Sequence, residues 1–395
     1  DCDSTGAVLG QARASLMLSG FANAPMANTS YPVALASKLA KTDLAKGAPS
    51  IIAQFSSSLD SSTCNLHWYY GFDGNTCDED LTVVLLHEFG HGLGFIGNVD
   101  AATGRYRVGV NPSVFDRHVM DDTTGKHFDE MTDLQRAAAS INNQHLVWDG
   151  SSTKDGAALY LIGPTLTISA PESLNVNYTV NTASWGAKPT AVGVTTTVVG
   201  ARDDANAAGP TALDGCTAFT NASEINGHIA LIDRGNCNFT VKAKNAQVAG
   251  AIGVVIADNV VDSIPPLGGC DPGITIPVYG VSQKDGQAIR AQLVNGVTAR
   301  LYADPLKQTG ANSGGLTRLY APATVAAGSS LYHWDVTASP NLLMEPFINQ
   351  DLKPTSVDLT LNELLDIGWT ISSSNPVTPV PQTPVPGRRI LRRGR

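Results

Sequence analysis

The sequence predicts an α+β protein with a separate small α/β or β-rich domain in its middle. Three observations lead there. An apolar helical run ends in His87-Glu88-Phe89-Gly90-His91, a Thr/Val-rich stretch of short extended runs fills about 159–303, and a mixed pattern returns after Asp304. The chain has 395 residues, 43% of them hydrophobic, so it is too long for one ordinary core and too apolar for disorder.

In the first piece, residues 1–158, the segment 31–44 places Val33, Leu35, Leu39 and Leu44 near a helical spacing, with Pro32 suited to a first turn. Residues 51–55 (IIAQF) read as an apolar strand, and 51–59 as a candidate edge strand able to pair with an extended peptide. Residues 67–71 read as an aromatic strand or turn. The acidic triplet Asp78, Glu79, Asp80 suits the N-terminus of the helix that follows. Further helices are expected over 113–121 and 132–142.

Between 159 and 303, extended runs at 166–170, 178–185, 191–200, 228–235, 252–259 and 276–282 alternate with Gly and Asn turns. One helical stretch, 238–249, lies between two of them, as in a βαβ crossover. Residues 304–371 return to a mixed pattern and close on a helix candidate at 361–369. Residues 372–395 form a Pro/Thr/Ser-rich linker and a basic tail.

The net charge is −9, from 26 Lys and Arg against 35 Asp and Glu. Five of the basic residues are Arg388, Arg389, Arg392, Arg393 and Arg395, so residues 1–387 hold 21 against 35, a net of −14. That charge repels a polyphosphate partner and argues against nucleic acid. No run approaches the ~20 apolar residues of a membrane span. Six scattered cysteines without a C-x-x-C pair point to disulfides and an oxidising, extracellular compartment, and Cys64 and Cys77 flank a short turn that would close readily. A secreted monomer is expected.

His87-Glu88-Phe89-Gly90-His91 is H-E-x-x-H within a helical pattern. The four-residue spacing sets both imidazoles on one face, as two neutral ligands of a tetrahedral Zn²⁺ require. Glu88 then stands beside the metal, where it can act as general base. A third ligand must come from elsewhere: His67, His118, His127, His145, His228, His333, or a carboxylate such as Asp100.

The run continues Gly92-Leu93-Gly94-Phe95-Ile96-Gly97 and resembles the metzincin pattern H-E-x-x-H-x-x-G-x-x-H. Gly94 fits, while Gly97 stands where the third His would be. Downstream, Leu331-Tyr332-His333-Trp334-Asp335 is followed by Leu343-Met344-Glu345-Pro346, which resembles leishmanolysin-like metzincins with their remote third ligand and Met-turn. The resemblance implies a zincin catalytic domain in two pieces, 1–158 and 304–371, interrupted by 159–303, with His87, His91 and His333 on zinc, Glu88 as general base and Met344 in the turn beneath the metal. It also implies a zinc endopeptidase acting on protein or peptide substrates. Residues 227–239 (GHIALIDRGNCNF), followed by KAKNAQVAGAIGVVIADN and IPVYGVSQKDGQAI, look like a protease-associated (PA) domain, a small non-catalytic α/β module. Two other readings stay open: a non-catalytic secreted peptide- or sugar-binding protein with a structural zinc, and a zincin with a carboxylate third ligand.

Overall fold

The computed structural model describes all residues except 1, 4–5, 61–65, 208 and 372–395. The linker and tail, and Cys64, therefore lie outside the described residues. The chain forms one core from two separated segments and a second pair of cores from the segment between them.

In the first segment, strand β1 (Gly10–Ala14) precedes helix α1 (Val33–Ala40), and strand β2 (Ile51–Phe55) follows. β1 and β2 pair antiparallel, with Gly10 opposite Phe55 and Ala14 opposite Ile51. Helix α2 (Leu81–Leu93) begins where the Asp80 side chain accepts from the amides of Thr82 and Val83, at 2.8 and 3.2 Å. That cap is the one the acidic triplet leads one to expect. α2 ends at Gly94, whose φ of +148° favours glycine.

The expected helix at 113–121 does not form. Pro112 precedes it, and the Asp116 carboxylate accepts from the Ser113 amide, the Ser113 hydroxyl and the Asn98 amide, which holds the backbone in turns. The end of that stretch becomes strand β3 (Val119–Asp121), followed by β4 (Lys126–His127), helix α3 (Asp133–Ala139), β5 (Leu146–Trp148) and helix α4 (Ser151–Tyr160). α4 was not signalled by its sequence, which has little apolar periodicity.

The middle segment opens with β6 (Ile162–Ala170), then β7 (Asn181–Thr182), β8 (Val194–Gly200), β9 (Ile229–Asp233), helix α5 (Phe239–Val248) and β10 (Gly253–Ala257). It closes with β11 (Val278–Val281), helix α6 (Gln283–Gln292) and β12 (Val297–Gln308). These strands make one seven-stranded sheet in the order β6-β12-β8-β9-β10-β11-β7. The central four run parallel, and the flanking pairs antiparallel. The parallel strands are apolar throughout because both faces are covered. Leu231, Val255 and Leu301 sit in the core on one face, and Ile232, Val254 and Ala243 in the core on the other. Of the expected run 178–185, only Asn181 and Thr182 are strand.

After Gln308 the chain rejoins the first segment. Strand β13 (Thr317–Arg318) pairs with β5, completing an antiparallel sheet in the order β4-β3-β5-β13. Helix α7 (Asp358–Asp366) packs on α4, and its Asp366 carboxylate accepts from the Ser152 and Thr153 amides at the α4 N-terminus. Phe95, Phe115 and Trp148 share a core with Leu331, Trp334, Met344 and Ile367. Segments on either side of the seven-stranded sheet thus bury one another, and the sheet is an insertion between them.

The disulfides correct one expectation. Cys77 is joined to Cys270, 193 residues away in the insertion, so it does not pair with Cys64. The fold brings the loop before α2 against the insertion, a proximity that closeness in sequence does not report. Cys216 and Cys237 pair within the insertion. A cleft of about 530 Å³ lies between the insertion and the second segment, bordered by Tyr160, Pro164, Thr182, Lys188, Ser339 and Asn341.

Candidate metal centre

Two elements deliver three imidazoles to one point. α2 supplies His87 and His91, one turn apart on its buried face. His333 comes from the segment beside β13. There Leu331 donates its amide to the Tyr320 carbonyl, Tyr320 donates to the His333 carbonyl, and Leu319 bridges to Trp334. The donor nitrogens of His87, His91 and His333 all lie within 4.8 Å of one another, and all three residues are buried.

The tautomers follow from the partners. Each Nδ1 faces a backbone carbonyl, which can only accept: His87 that of Leu343 at 2.7 Å, His91 that of Phe95 at 2.8 Å, and His333 that of Ser329 at 2.7 Å. Burial lowers all three imidazoles, His91 to about 3 and His333 well below the usual range, and the neighbouring rings add to the effect on His91 and His333. The neutral rings therefore carry their one proton on Nδ1. The Nε2 lone pairs converge, and those of His87 and His91 stand 3.2 Å apart with no proton between them.

Converging lone pairs in a buried site repel unless a cation lies among them. Two nitrogens on a tetrahedral Zn²⁺ at ~2.0–2.1 Å would be separated by about 3.3 Å. The set therefore fits Zn²⁺, with the carbonyls of Leu343, Phe95 and Ser329 fixing the rings from behind as outer-shell partners. Three protein ligands leave a fourth position for water or substrate.

Glu88 lies on the same turn. Its Oε2 is buried without a partner, and burial pushes its carboxyl up to about 7. β1 passes close over it: a Cβ on Gly10 would stand 2.7 Å from Glu88 Oε1. Met344 is fully buried against α2, so near that a Cβ on Gly90 would meet its Sδ at 2.6 Å. The Met344 carbonyl accepts from the Trp334 amide, tying the turn to the segment that bears His333.

The other sequence candidates lie elsewhere. His118 and His127 share the Asp149 carboxylate, His145 pairs with Asp122, and His228 contacts Thr196 in the insertion. Asp100 is engaged by Thr103. Among the described residues no carboxylate joins the three-His group. What sequence reasoning missed is the backbone: nothing in the residue types marked the carbonyls of Ser329 and Leu343, or the close pass of Gly10.

The turn after Met344 contains a titratable group with a testable consequence. Burial pushes the Glu345 carboxyl up to about 8, although the Leu342 amide and Asn349 side chain donate to it. At intermediate pH the folded state keeps a proton that the unfolded chain, with a pKa of ~4.3, has released. This contribution to stability is therefore full below ~4.3 and is lost as pH rises towards 8. Glu345→Gln, neutral throughout, is expected to gain stability relative to the parent between about pH 5 and about pH 8. Urea unfolding at the two values checks this, and a constant difference would contradict it.

Comparison with known proteins covers less than half of the chain in each match. Residues 194–289 match the PA domain family. Signal peptide peptidase-like 3 of Arabidopsis thaliana is 32% identical over 168 residues, 40% of this chain and 30% of that protein. Aminopeptidase YwaD of Bacillus subtilis is 42% identical over 73 residues, 18% of this chain and 16% of that protein. A solved zinc aminopeptidase from Bacillus subtilis aligns at 27% identity with a TM-score of 0.25, covering 39% of this chain and 36% of that one. The chain thus spans less than a third of the curated relatives it matches. The insertion contains a PA domain, and the three-His centre lies outside the residues that match it.

Proposed function

We propose that the protein is a zinc-dependent endopeptidase of metzincin type, leishmanolysin-like, with an inserted PA domain. In this reading His87, His91 and His333 hold the metal, Glu88 is the general base, and Met344 forms the turn beneath. The observation that supports it most is the convergence of three unprotonated Nε2 atoms beside a buried carboxyl that has no other partner. Peptidases among the similar proteins support the broader class.

When bound, Zn²⁺ supplies Lewis-acid polarisation of a carbonyl and makes a water molecule more acidic. The chain does the rest. The carbonyls of Leu343, Phe95 and Ser329 hold the imidazoles in one tautomer and orientation. Glu88 takes a proton at its carboxylate from the attacking water and returns it to the leaving amine. Burial raises this carboxyl's affinity for a proton, which favours its role as the acceptor. Tyr332 donates to the Val99 carbonyl and Tyr69 to Asp73, so neither phenol is free to serve an oxyanion. Two disulfides support an extracellular setting. No helix among the described residues is long and apolar enough to cross a membrane.

A second reading, aminopeptidase, draws on the names of the relatives. An aminopeptidase must hold a free α-amine, a task suited to a carboxylate in the metal group, and none joins it among the described residues. An unstructured protein with an acetylated N-terminus separates the two. Internal cuts that stop on adding a zinc chelator are expected; stepwise loss of N-terminal residues, from unblocked chains alone, would favour the aminopeptidase.

Gly10 offers a further check on Glu88. Gly10→Val would drive a side chain into the carboxylate, and a misplacement of ~1 Å is expected to lower kcat by about 10²-fold with zinc content unchanged. Full activity would show that Glu88 is not the base in its present position.

A further inference from the structure

The bond between the two domains differs from the bond within the insertion. Cys77 is exposed and Cys270 half-buried, whereas the other bridge has no exposed partner: Cys237 is half-buried, and Cys216 is only 9% exposed and lies under the fully buried Lys242, whose Nζ is 3.5 Å from its sulfur. Exchange needs a thiolate to reach a disulfide sulfur, and exposed bridges are the labile ones. Cys77 sits three residues before Asp80, the cap of the zinc helix, on the loop 71–80.

We infer that Cys77–Cys270 is a thiol–disulfide exchange site, open to low-molecular-weight thiols in the folded protein, and that opening it releases the insertion from the loop leading into α2. A thiolate attacks Cys77 Sγ, the S–S bond breaks, and its electron pair leaves on Cys270 Sγ, which takes a proton from solvent. A second thiolate then attacks the outer sulfur of the mixed disulfide, freeing Cys77 and forming the thiol's own disulfide. Two electrons pass from the two thiols to the bridge.

The surroundings receive the leaving group. Cys270 Sγ lies 3.6 Å from the Thr76 carbonyl and 3.8 Å from Gln350 Oε1, both acceptors for a new S–H. Beyond the two points where the chain enters and leaves the insertion and the weak S–H contacts of Cys270, the ion pair that then remains among the described residues is Lys188 with Asp351, 3.4 Å apart, and Asp351 is held by Asn341 at 2.8 Å. An ion pair with a half-exposed lysine is weak. The Asp80 cap bonds only within α2, so the zinc helix keeps its N-terminus.

The test uses the zinc-loaded full chain and reduced glutathione, with alkylation and peptide mapping of samples withdrawn over time. Glutathione on Cys77 and alkyl label on Cys270 are expected to appear at least about 10-fold faster than label on Cys216 or Cys237. Zinc is expected to stay bound, and amide exchange over 71–80 and 258–277 to rise about 10-fold in the opened protein. Cys77→Ser with Cys270→Ser should show the same exchange without a thiol. Opening of Cys216–Cys237 first or equally fast, or glutathione on Cys270, would overturn the site. Unchanged amide exchange in the opened wild type would overturn the release. None of these readouts depends on peptidase activity.

Discussion

Glu88→Gln is expected to lower peptide hydrolysis by about 10²–10⁴-fold, the range that a positioned general base supplies, while zinc stays bound at one equivalent. The amide occupies the same space, so the variant should fold as the parent does. What it loses is the capacity to hold a proton and give it back. Glu88 Oε2 has no protein partner, so no hydrogen bond of the folded state is broken by the change. Matched circular dichroism and metal content, set beside the rate on a blocked peptide, check the prediction. Undiminished hydrolysis in the variant would remove Glu88 from the mechanism.

His333→Ala is the second large effect. Two imidazoles on α2 would remain, and two neutral ligands one turn apart make a much poorer site. Loss of an outer-shell partner alone typically costs 10–100-fold in metal affinity, so loss of a ligand is expected to cost more than about 10²-fold. Activity should fall with zinc occupancy. His333→Cys, which keeps a zinc donor at the position, should retain more metal than the alanine variant. His118→Ala, remote from the group and paired with Asp149, should leave zinc content untouched. Stoichiometric zinc and full activity in His333→Ala would rule out the assignment and revive a carboxylate third ligand.

The parts legible in the sequence are those written in local pattern. Asp80, the apolar run after it and Gly94 mark the start, length and end of helix α2, since capping and glycine conformation act within a few residues. The extended runs at 228–235 and 252–259 are visible because parallel strands covered on both faces must be apolar. Less legible are features made by meetings across the chain. The pairing of Cys77 with Cys270 depends on where the insertion folds back, and nothing near Cys77 encodes it. Helix α4 takes part of its N-terminal support from Asp366, more than two hundred residues later. The stretch 113–121 reads as helical by spacing, but the Asp116 side chain competes for the same amides and holds them in a turn. The third ligand is intermediate. Spacing left seven candidates, the resemblance to leishmanolysin-like metzincins singled out His333, and the structure places that residue beside His87 and His91.

The most direct test of the account is a zinc titration of the chelator-stripped protein, followed by cleavage of an end-blocked, unstructured substrate. Activity is expected to be absent from the stripped protein, to rise in proportion to added zinc, and to level off at one equivalent. Activity that survives stripping, or that needs two equivalents, would contradict a single catalytic zinc on His87, His91 and His333.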